Sequence, residues 1–132
     1  MKIRAYNKDK DEYKLMKMIE GEGEEWTCYS DNSVSDKYRF ALENSITYVA
    51  YEGDNLCGYS RSINDCGFYI YVCDLLVIQM CRGKKIGQKL MECLSTEYPN
   101  QIVYVMSDVD EYYKKKGFKR EGSIYEVTKK SP

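Results

Sequence analysis

Histidine is absent from this 132-residue sequence. The absence excludes Ser-His-Asp and Cys-His catalysis within the chain, together with metal sites built on histidine ligands. The six cysteines include no C-x-x-C pair, and their spacing fits no zinc module. Without a secretory signal we interpret them mainly as small buried apolar residues rather than as a disulfide framework. Acid–base chemistry must therefore use carboxylates, tyrosine, cysteine, lysine, bound water or the backbone.

Long apolar runs and an excess of one charge are also missing. No run approaches the roughly 18 apolar residues of a membrane span, and the N-terminus is too polar for a signal peptide. The 20 lysines and arginines nearly balance the 21 aspartates and glutamates, which argues against a dedicated nucleic-acid binder. We expect a single cytoplasmic domain over residues 1–132, with no metal and with neither a nucleic acid nor a membrane as partner.

Apolar periodicity and turn residues predict a mixed α/β chain, with antiparallel hairpins first and an α/β crossover later. The predicted strands are Lys2–Tyr6, Ile46–Tyr51, Leu56–Ile63, Phe68–Ile78, Gln101–Met106, Phe118–Glu121 and Ile124–Thr128. The predicted helices are Asp11–Ile19, Ser33 or Ser35 to about Asn44, Lys84 to about Glu97, and Ser107 or Asp108 to Lys116. The strand at Phe68 is nearly all apolar, which predicts burial on both faces. Gly117 is expected to end the last helix in a left-handed conformation.

One turn of the sequence suggests a ligand. An apolar strand ends in Arg82-Gly83-Lys84-Lys85-Ile86-Gly87, and a helical pattern begins at once without a capping proline, serine or aspartate. Glycines and cations at a helix N-terminus favour an anion, because the backbone amides there are free to bind it. The turn is not a Walker P-loop, which needs a Ser or Thr for magnesium, and it is not a Rossmann fingerprint. An ordinary basic turn is the alternative.

The run DLLVIQMCRGKKIGQKLM resembles the acyl-CoA-binding motif of the GNAT N-acetyltransferase superfamily, R/Q-x-x-G-x-G/A at the start of a helix. Residues 82–87 match a common form of it, except that Lys85 stands where the first motif glycine usually lies. The later run DEYYKKKGFKREG resembles a second hallmark of the family, a helix that ends in Y-x-x-x-G-F. The predicted order of elements is similar to that of the family over essentially the whole chain.

The resemblance implies a GNAT-like α/β fold. Its central sheet would be mixed and largely antiparallel, with six to seven strands and about four flanking helices. Two splayed central strands would form the cleft for coenzyme A, and the pantetheine arm would pair with the first of them. The implied co-substrate is acetyl-CoA, with no metal, and the implied cofactor-binding residues are Leu75, Leu76, Val77, Arg82, Gly83, Lys84, Lys85, Ile86, Gly87, Tyr113 and Lys116. If Lys85 has a positive φ, it carries strain of about 1 kcal/mol.

The same resemblance assigns candidate roles in catalysis. Tyr113 takes the position of the family tyrosine that protonates the departing CoA thiolate, and the adjacent Tyr112 is the alternative. Many relatives place a Glu-Asp pair before the apolar run, where this chain has Cys73-Asp74. Asp74 is therefore the candidate general base or substrate ligand, and a chain of water molecules is the alternative.

An acidic loop is the predicted acceptor site. In the family the acceptor lies near the loop between the first two helices, which here contains Glu22, Glu24, Glu25, Trp26 and Tyr29. Carboxylates clustered beside aromatic rings favour a cationic amine. A solvated acidic loop without a ligand is the alternative.

Two functions from different classes are consistent with these patterns. The first is an N-acetyltransferase that moves an acetyl group from acetyl-CoA to a primary amine of a small molecule, peptide or protein, directly and within a ternary complex. The second is a non-catalytic acyl-CoA-binding or regulatory module, favoured by the missing glutamate and by Lys85. An interaction domain without a ligand would leave the glycine-containing turn unexplained. The sequence does not name the acceptor, and it leaves the oligomeric state open, with a homodimer among the alternatives.

Overall fold

The computed structural model describes residues 1–23, 26–107 and 109–129. The helices are α1 Lys8–Glu20, α2 Thr27–Ser30, α3 Ser35–Asn44, α4 Ile86–Glu97 and α5 Asp110–Lys115, with a 3₁₀ turn at Gln79–Cys81. The strands are β1 Lys2–Ala5, β2 Ile46–Glu52, β3 Asn55–Asn64, β4 Tyr69–Val77 and β5 Ile102–Val105. Among the described helices, none is long and apolar enough to cross a membrane.

The five strands form one mixed sheet in the order β1-β2-β3-β4-β5. The pairs β1–β2, β2–β3 and β3–β4 are antiparallel, and β2, β3 and β4 follow one another through turns. Strand β5 is parallel to β4, because α4 carries the chain back across the sheet between them. The predicted mixed and largely antiparallel sheet is therefore confirmed.

The predicted count of six to seven strands is wrong. Residues 118–121 and 124–128 form no strand, and the side chains of Ile124, Tyr125 and Val127 are largely exposed. Both segments are short, and the first is rich in charge, so pairing them with β5 would bury little apolar area. The described residues form five helices rather than about four, because one further helical turn, α2, follows Trp26.

The first and last helices show what local signals predict. Helix α1 begins three residues earlier than expected, because Asn7 caps it and accepts a hydrogen bond from the amide of Lys10 at 3.2 Å. Gly117 follows α5 with φ 81°, the left-handed conformation that the sequence predicts.

The predicted serine caps do not form at α3 and α5. Val34 and Val109 occupy the two cap positions, and no side chain caps either helix. The hydroxyl of Ser107 instead accepts a hydrogen bond from the amide of Val109 and donates one to Asp110. Asp108, the other predicted cap of α5, lies outside the described residues.

Both faces of the sheet carry an apolar core. Helices α1 and α3 cover one face, and the core between them and the sheet includes Leu15, Ile19, Tyr38, Leu42, Tyr59 and Leu76. Helix α4 covers the other, which includes Cys57, Ile70, Val72, Ile86, Leu90 and Leu94. Strand β4 supplies side chains to both cores, so its position fixes the two layers relative to each other.

Strand β4 contains a β-bulge at Cys73. Strand β3 places Ser62 opposite Val72 and Arg61 opposite Asp74, so Cys73 is an extra residue between the two pairs. Before the bulge, Val72 packs under α4, whereas Asp74 bonds to Tyr38 on the α3 side of the sheet. Alternate residues of β4 are only half-buried, but the strand contributes buried side chains to the cores on both faces of the sheet, as predicted.

Candidate functional site

The turn before α4 leaves the helix N-terminus uncapped. Gly83 has φ 87°, and Lys85 has φ 62° and ψ 27°, so both lie in the left-handed region. Lys85 occupies the cap position, but its side chain does not cap the helix. The amides of the first helical turn have no acceptor within the helix, and the helix dipole adds positive potential there. This local geometry is that of an anion site.

Strand β4 has one open edge next to this turn. It pairs with β5 only from Tyr69 to Val72, and the last bond along that edge runs from the amide of Met106 to the Val72 carbonyl at 3.2 Å. From Cys73 to Val77 it pairs with β3 alone among the described residues. Every second residue of this stretch directs its backbone groups to the open side. An extended ligand could therefore add to the edge as a strand does.

The open edge, the first turn of α4 and helix α5 meet at Gly87. A Cβ atom added to Gly87 would lie 3.2 Å from the hydroxyl of Tyr112, 3.7 Å from Leu75 Cδ2 and 3.9 Å from Val77 Cγ2. Lys116 reaches the same turn, with Nζ 3.4 Å from Gln88 Oε1. The structure thus brings the predicted cofactor residues of β4, the turn and α5 together around one cleft.

Tyr113, the predicted acid, lies half-buried on α5. Its ring is stacked on Phe118 with 6.1 Å between centroids, and it meets the ring of Tyr112 edge-on at 5.0 Å. The hydroxyl nearest to the α4 turn is that of Tyr112, a proximity that sequence reasoning missed because the two tyrosines are adjacent. The assignment of the acid to Tyr113 stays a prediction.

Two of the four predicted cofactor-binding cations, Arg82 and Lys84, are paired within the protein. Arg82 donates from Nε to the Val77 carbonyl at 3.0 Å, and its Nη2 lies 3.8 Å from Glu22 of the acidic loop. Lys84 Nζ lies 3.1 Å from Glu52 Oε1. These pairs are exposed and therefore weak, so an anionic ligand can exchange them for its own contacts. Arg82 links the predicted cofactor site directly to the predicted acceptor loop.

Replacing Glu22 with Gln should strengthen acetyl-CoA binding a few-fold, because Arg82 then loses its competing carboxylate. Equilibrium titration at low ionic strength measures this change. Glu20→Gln is the matched control, since Glu20 pairs with Lys17 rather than with the turn. Weaker binding by Glu22→Gln than by the control variant would contradict the competition between Glu22 and the cofactor.

An open groove of about 770 Å³ lies beside the acidic loop. Helix α1, the β2–β3 turn and the segment before α4 line it. The carboxylates along it belong to Glu22, Glu52 and Asp54. Glu24 and Glu25, two further predicted acceptor residues, lie outside the described residues. The acidic loop therefore borders a concave surface that carries negative charge.

Asp74 is the centre of a buried polar network. Its side chain accepts hydrogen bonds from the hydroxyls of Tyr29 and Tyr38, each at 2.7 Å, and from Arg61 Nε at 2.6 Å. The Tyr38 hydroxyl also lies 2.7 Å from that of Tyr59. Sequence reasoning named Asp74 and Tyr29 but missed Arg61, although it is the one charged residue of its strand and therefore a signal.

The network keeps its tyrosines protonated and its arginine charged. Burial, followed by the hydrogen bond to Asp74, raises the pKa of the Tyr29 hydroxyl. Burial also raises the pKa of Tyr38, and the neighbouring Tyr59 and Asp74 add to the increase. Burial alone would lower the pKa of the Arg61 guanidinium, but Asp74 outweighs this and raises it. At neutral pH these three groups therefore act as hydrogen-bond donors to Asp74.

Lys85→Gly should stabilise the fold, because the left-handed conformation costs a non-glycine residue about 1 kcal/mol. We expect a gain of ~2–4 °C in Tm, measured by thermal denaturation of the unliganded protein. Lys84→Gly is the matched control: it removes the same side chain one position earlier, where φ is not positive, and should lower Tm. Equal effects of the two variants would show that Lys85 is not strained.

Comparisons with known proteins give the family. The profile of the acetyltransferase (GNAT) domain family matches residues 43–120, more than half of the chain. No curated protein matches the sequence at a significant level. Among the described residues, no group of three or more cysteine, aspartate or glutamate side chains is arranged to hold a metal ion.

Solved structures share the fold at low sequence identity. An aminoglycoside acetyltransferase from an uncultured soil metagenomic sample superimposes with a TM-score of 0.72 at 18% identity, over 98% of each chain. A GNAT family protein of Streptococcus pneumoniae superimposes with a TM-score of 0.64 at 21% identity, over 97% of each chain. Glucosamine-6-phosphate N-acetyltransferase from Arabidopsis thaliana gives 0.67 at 16% identity, over 96% of this chain and 97% of its own. The chain belongs to the GNAT acetyltransferase family.

Proposed function

We propose that the protein transfers an acetyl group from acetyl-CoA to a primary amine, directly and within a ternary complex. The observation that carries this proposal is the uncapped start of α4 next to the open edge of β4. One feature suits a pyrophosphate and the other an extended pantetheine arm. Membership of the family supports acyl transfer in general.

The residues of the cleft fit the cofactor. The amides of the α4 first turn would hold the pyrophosphate, and Gly83 and Gly87 leave the backbone accessible to it. The backbone of Leu75, Leu76 and Val77 would pair with the pantetheine amides. Lys116 lies within reach of the first turn of α4 and can add a positive charge. Acetyl-CoA supplies the activated acyl group, and these contacts orient it.

The chain's own groups would stabilise the charges that develop during transfer. A backbone amide on the open edge of β4 would donate to the thioester oxygen as the amine attacks. Tyr113 would donate its hydroxyl proton to the thiolate that leaves. The attacking amine must be neutral, so it loses a proton to water or to a protein group before or during the attack.

A cationic amine is the proposed acceptor. The groove beside the acidic loop carries three carboxylates, which attract a positive charge and raise its local concentration. Two of the structural neighbours are named as acetyltransferases of an aminoglycoside and of glucosamine-6-phosphate, both of which are amines. These names support the chemical class of the acceptor.

Acetyl-CoA should raise the melting temperature of the protein by several degrees. At about 100 times its dissociation constant, a ligand that binds only the folded state adds ~2.7 kcal/mol. Thermal denaturation with millimolar acetyl-CoA measures this shift, and dephosphorylated or truncated analogues without the pyrophosphate serve as controls. An unchanged melting curve would contradict the cofactor assignment. A panel of amines assayed for release of free CoA then tests the transfer itself.

The second candidate is a non-catalytic module that binds acyl-CoA. The observation that favours it is the state of Asp74, whose carboxylate is already occupied by hydroxyl and guanidinium donors. Tight binding of acetyl-CoA without turnover of any amine in the panel would select this function over the enzyme.

A further inference from the structure

Asp74 lies where the sequence suggests a base, but its surroundings do not suit that role. The residue as a whole is 5% exposed, and both carboxylate oxygens already accept hydrogen bonds. Oδ1 accepts from Tyr29, and Oδ2 accepts from Tyr38 and from Arg61. A general base must offer an oxygen within hydrogen-bond reach of the proton that it takes. Neither oxygen of Asp74 is free to do so without losing a donor.

Arg61 makes proton uptake by Asp74 costly as well. The two side chains form a salt bridge of 2.6 Å, and their side-chain exposures are 15% and 3%. Neutralising the carboxylate would leave a nearly buried guanidinium without its counter-charge, which strongly destabilises folded proteins. Arg61 and Asp74 are therefore suited to keeping their charges, and Asp74 is poorly suited to taking up and releasing a proton.

Helix α2 shows what this fixed carboxylate holds. It has four residues, no side-chain cap and no buried residue. Its attachment to the sheet runs through Tyr29, whose ring is stacked on that of Tyr38 with 4.2 Å between centroids and whose hydroxyl meets Asp74. Trp26 at the start of α2 packs against Tyr29 and Tyr59, at 5.8 Å and 6.4 Å. The hydrogen bond from Tyr29 to Asp74 thus ties this segment to β4.

We propose that Asp74 is a positioning residue: through Tyr29 it fixes helix α2 and Trp26, which carry two of the predicted acceptor residues, to the strand whose open edge would receive the cofactor. The amine proton then goes to another group. That Trp26 and Tyr29 contact the acceptor rests on the proposed function. The attachment of α2 to Asp74 does not, and it can be measured without any substrate.

Trp26 is a suitable probe because it is the only tryptophan of the chain. Tyr29→Phe removes the hydroxyl that bonds to Asp74 but leaves the Arg61 salt bridge and the aromatic stacking in place. We expect acrylamide to quench the Trp26 fluorescence at least about twofold more efficiently in this variant, since α2 opens locally at a lower free energy. Tyr38→Phe is the matched control, because it removes the other hydroxyl and leaves Tyr29 attached. Equal quenching in all three proteins would overturn the proposal.

Kinetics separate positioning from proton transfer. With the best amine of the panel, Tyr29→Phe and Asp74→Asn should raise the acceptor KM about three- to tenfold, with kcat within about threefold of the parent. The pH dependence of kcat/KM should keep its limb at low pH, because that limb belongs to the amine and not to Asp74. A fall in kcat of about 10²-fold or more in Asp74→Asn, with unchanged quenching of Trp26, would identify Asp74 as the base and overturn the proposal.

The two experiments fail in different ways. If Asp74→Asn does not fold, Tyr29→Phe still gives both the quenching and the KM values. If no amine is acetylated by the parent protein, the proposed function fails, and the quenching of Trp26 alone then decides whether Asp74 fixes α2.

Discussion

Tyr113→Phe is expected to lower kcat by about 10²- to 10⁴-fold, the range for loss of a positioned general acid. The substitution removes one hydroxyl and keeps the ring, so the stacking on Phe118 should persist and the dissociation constant of acetyl-CoA should barely change. Steady-state kinetics with saturating acetyl-CoA measure kcat, and a direct binding titration measures the affinity.

Tyr112→Phe is the matched control, and it is informative because the Tyr112 hydroxyl lies close to the first turn of α4. Adjacent residues of a helix point about 100° apart, so only one of the two hydroxyls can reach the thiolate. The Tyr112 hydroxyl lies next to Gly87, where the proposed function places the pyrophosphate, and its loss should affect the KM of acetyl-CoA more than kcat. A large loss of kcat in Tyr112→Phe with none in Tyr113→Phe would exchange the two assignments. No loss in either would mean that the thiolate leaves without a protein acid.

Asp11→Ala should be the most destabilising single substitution that we propose, at about 3 kcal/mol or ~10 °C in Tm. The Asp11 side chain is fully buried at the start of α1. It accepts two hydrogen bonds from Arg4, one from Tyr51 and one from the amide of Asn7, all at 2.7 Å. Removing it leaves a partly buried guanidinium and a helix-start amide without their acceptor. Chemical denaturation measures the free energy of unfolding.

The stabilisation by Asp11 should depend on pH in one direction only. Burial alone would raise the pKa of this carboxyl, but the hydrogen bonds from Arg4, Asn7 and Tyr51 outweigh burial and lower it. A group whose pKa is lower in the folded state stabilises above its unfolded pKa, about 3.9, and that stability is lost as pH falls through the folded pKa. The difference in the free energy of unfolding between the parent protein and Asp11→Ala should therefore be largest at pH 7 and should decrease below about pH 4.

Asp9→Ala is the control for both measurements. Asp9 lies in the same helical turn and is exposed, so its loss should cost less than about 1 kcal/mol through the helix dipole alone. Similar losses in the two variants would show that the buried network of Asp11 contributes little.

The parts of the fold that the sequence predicts well have strong local causes. The strand, turn and helix from β4 to α4 follow from an apolar run, two glycines and a helical stripe in immediate succession. The end of α5 follows from Gly117, because glycine adopts the left-handed conformation without strain. The same locality explains why the residues of the proposed cofactor cleft could be named in advance: most of them belong to one continuous segment.

Features that depend on distant partners were not predictable in the same way. The segments after Gly117 alternate well enough to suggest strands, but strand formation depends on a partner and on buried area, and the chain forms neither there. The donors around Asp74 come from α2, α3 and β3, between 13 and 45 residues away in sequence. No spacing rule connects residues at such separations, so only the register of β3 on β4 brings Arg61 and Asp74 together.

Because Cys73 is an extra residue in the pairing with β3, it determines which face of the sheet each later side chain of β4 points to. If β4 kept Cys73 but passed this point without a bulge, Leu75 would take the place of Asp74 among the tyrosines. The Asp74 carboxylate would then lie on the same face as Val72, near the apolar side chains of Leu90 and Leu94. Substituting the side chain at position 73 changes little of this, and deleting the residue would remove the bulge but leave Val72 and Asp74 on opposite faces, because adjacent residues of a regular strand alternate. An alignment of this strand with an unbulged one needs a gap opposite Cys73. Without that gap, the role of each later β4 residue would be assigned to its neighbour.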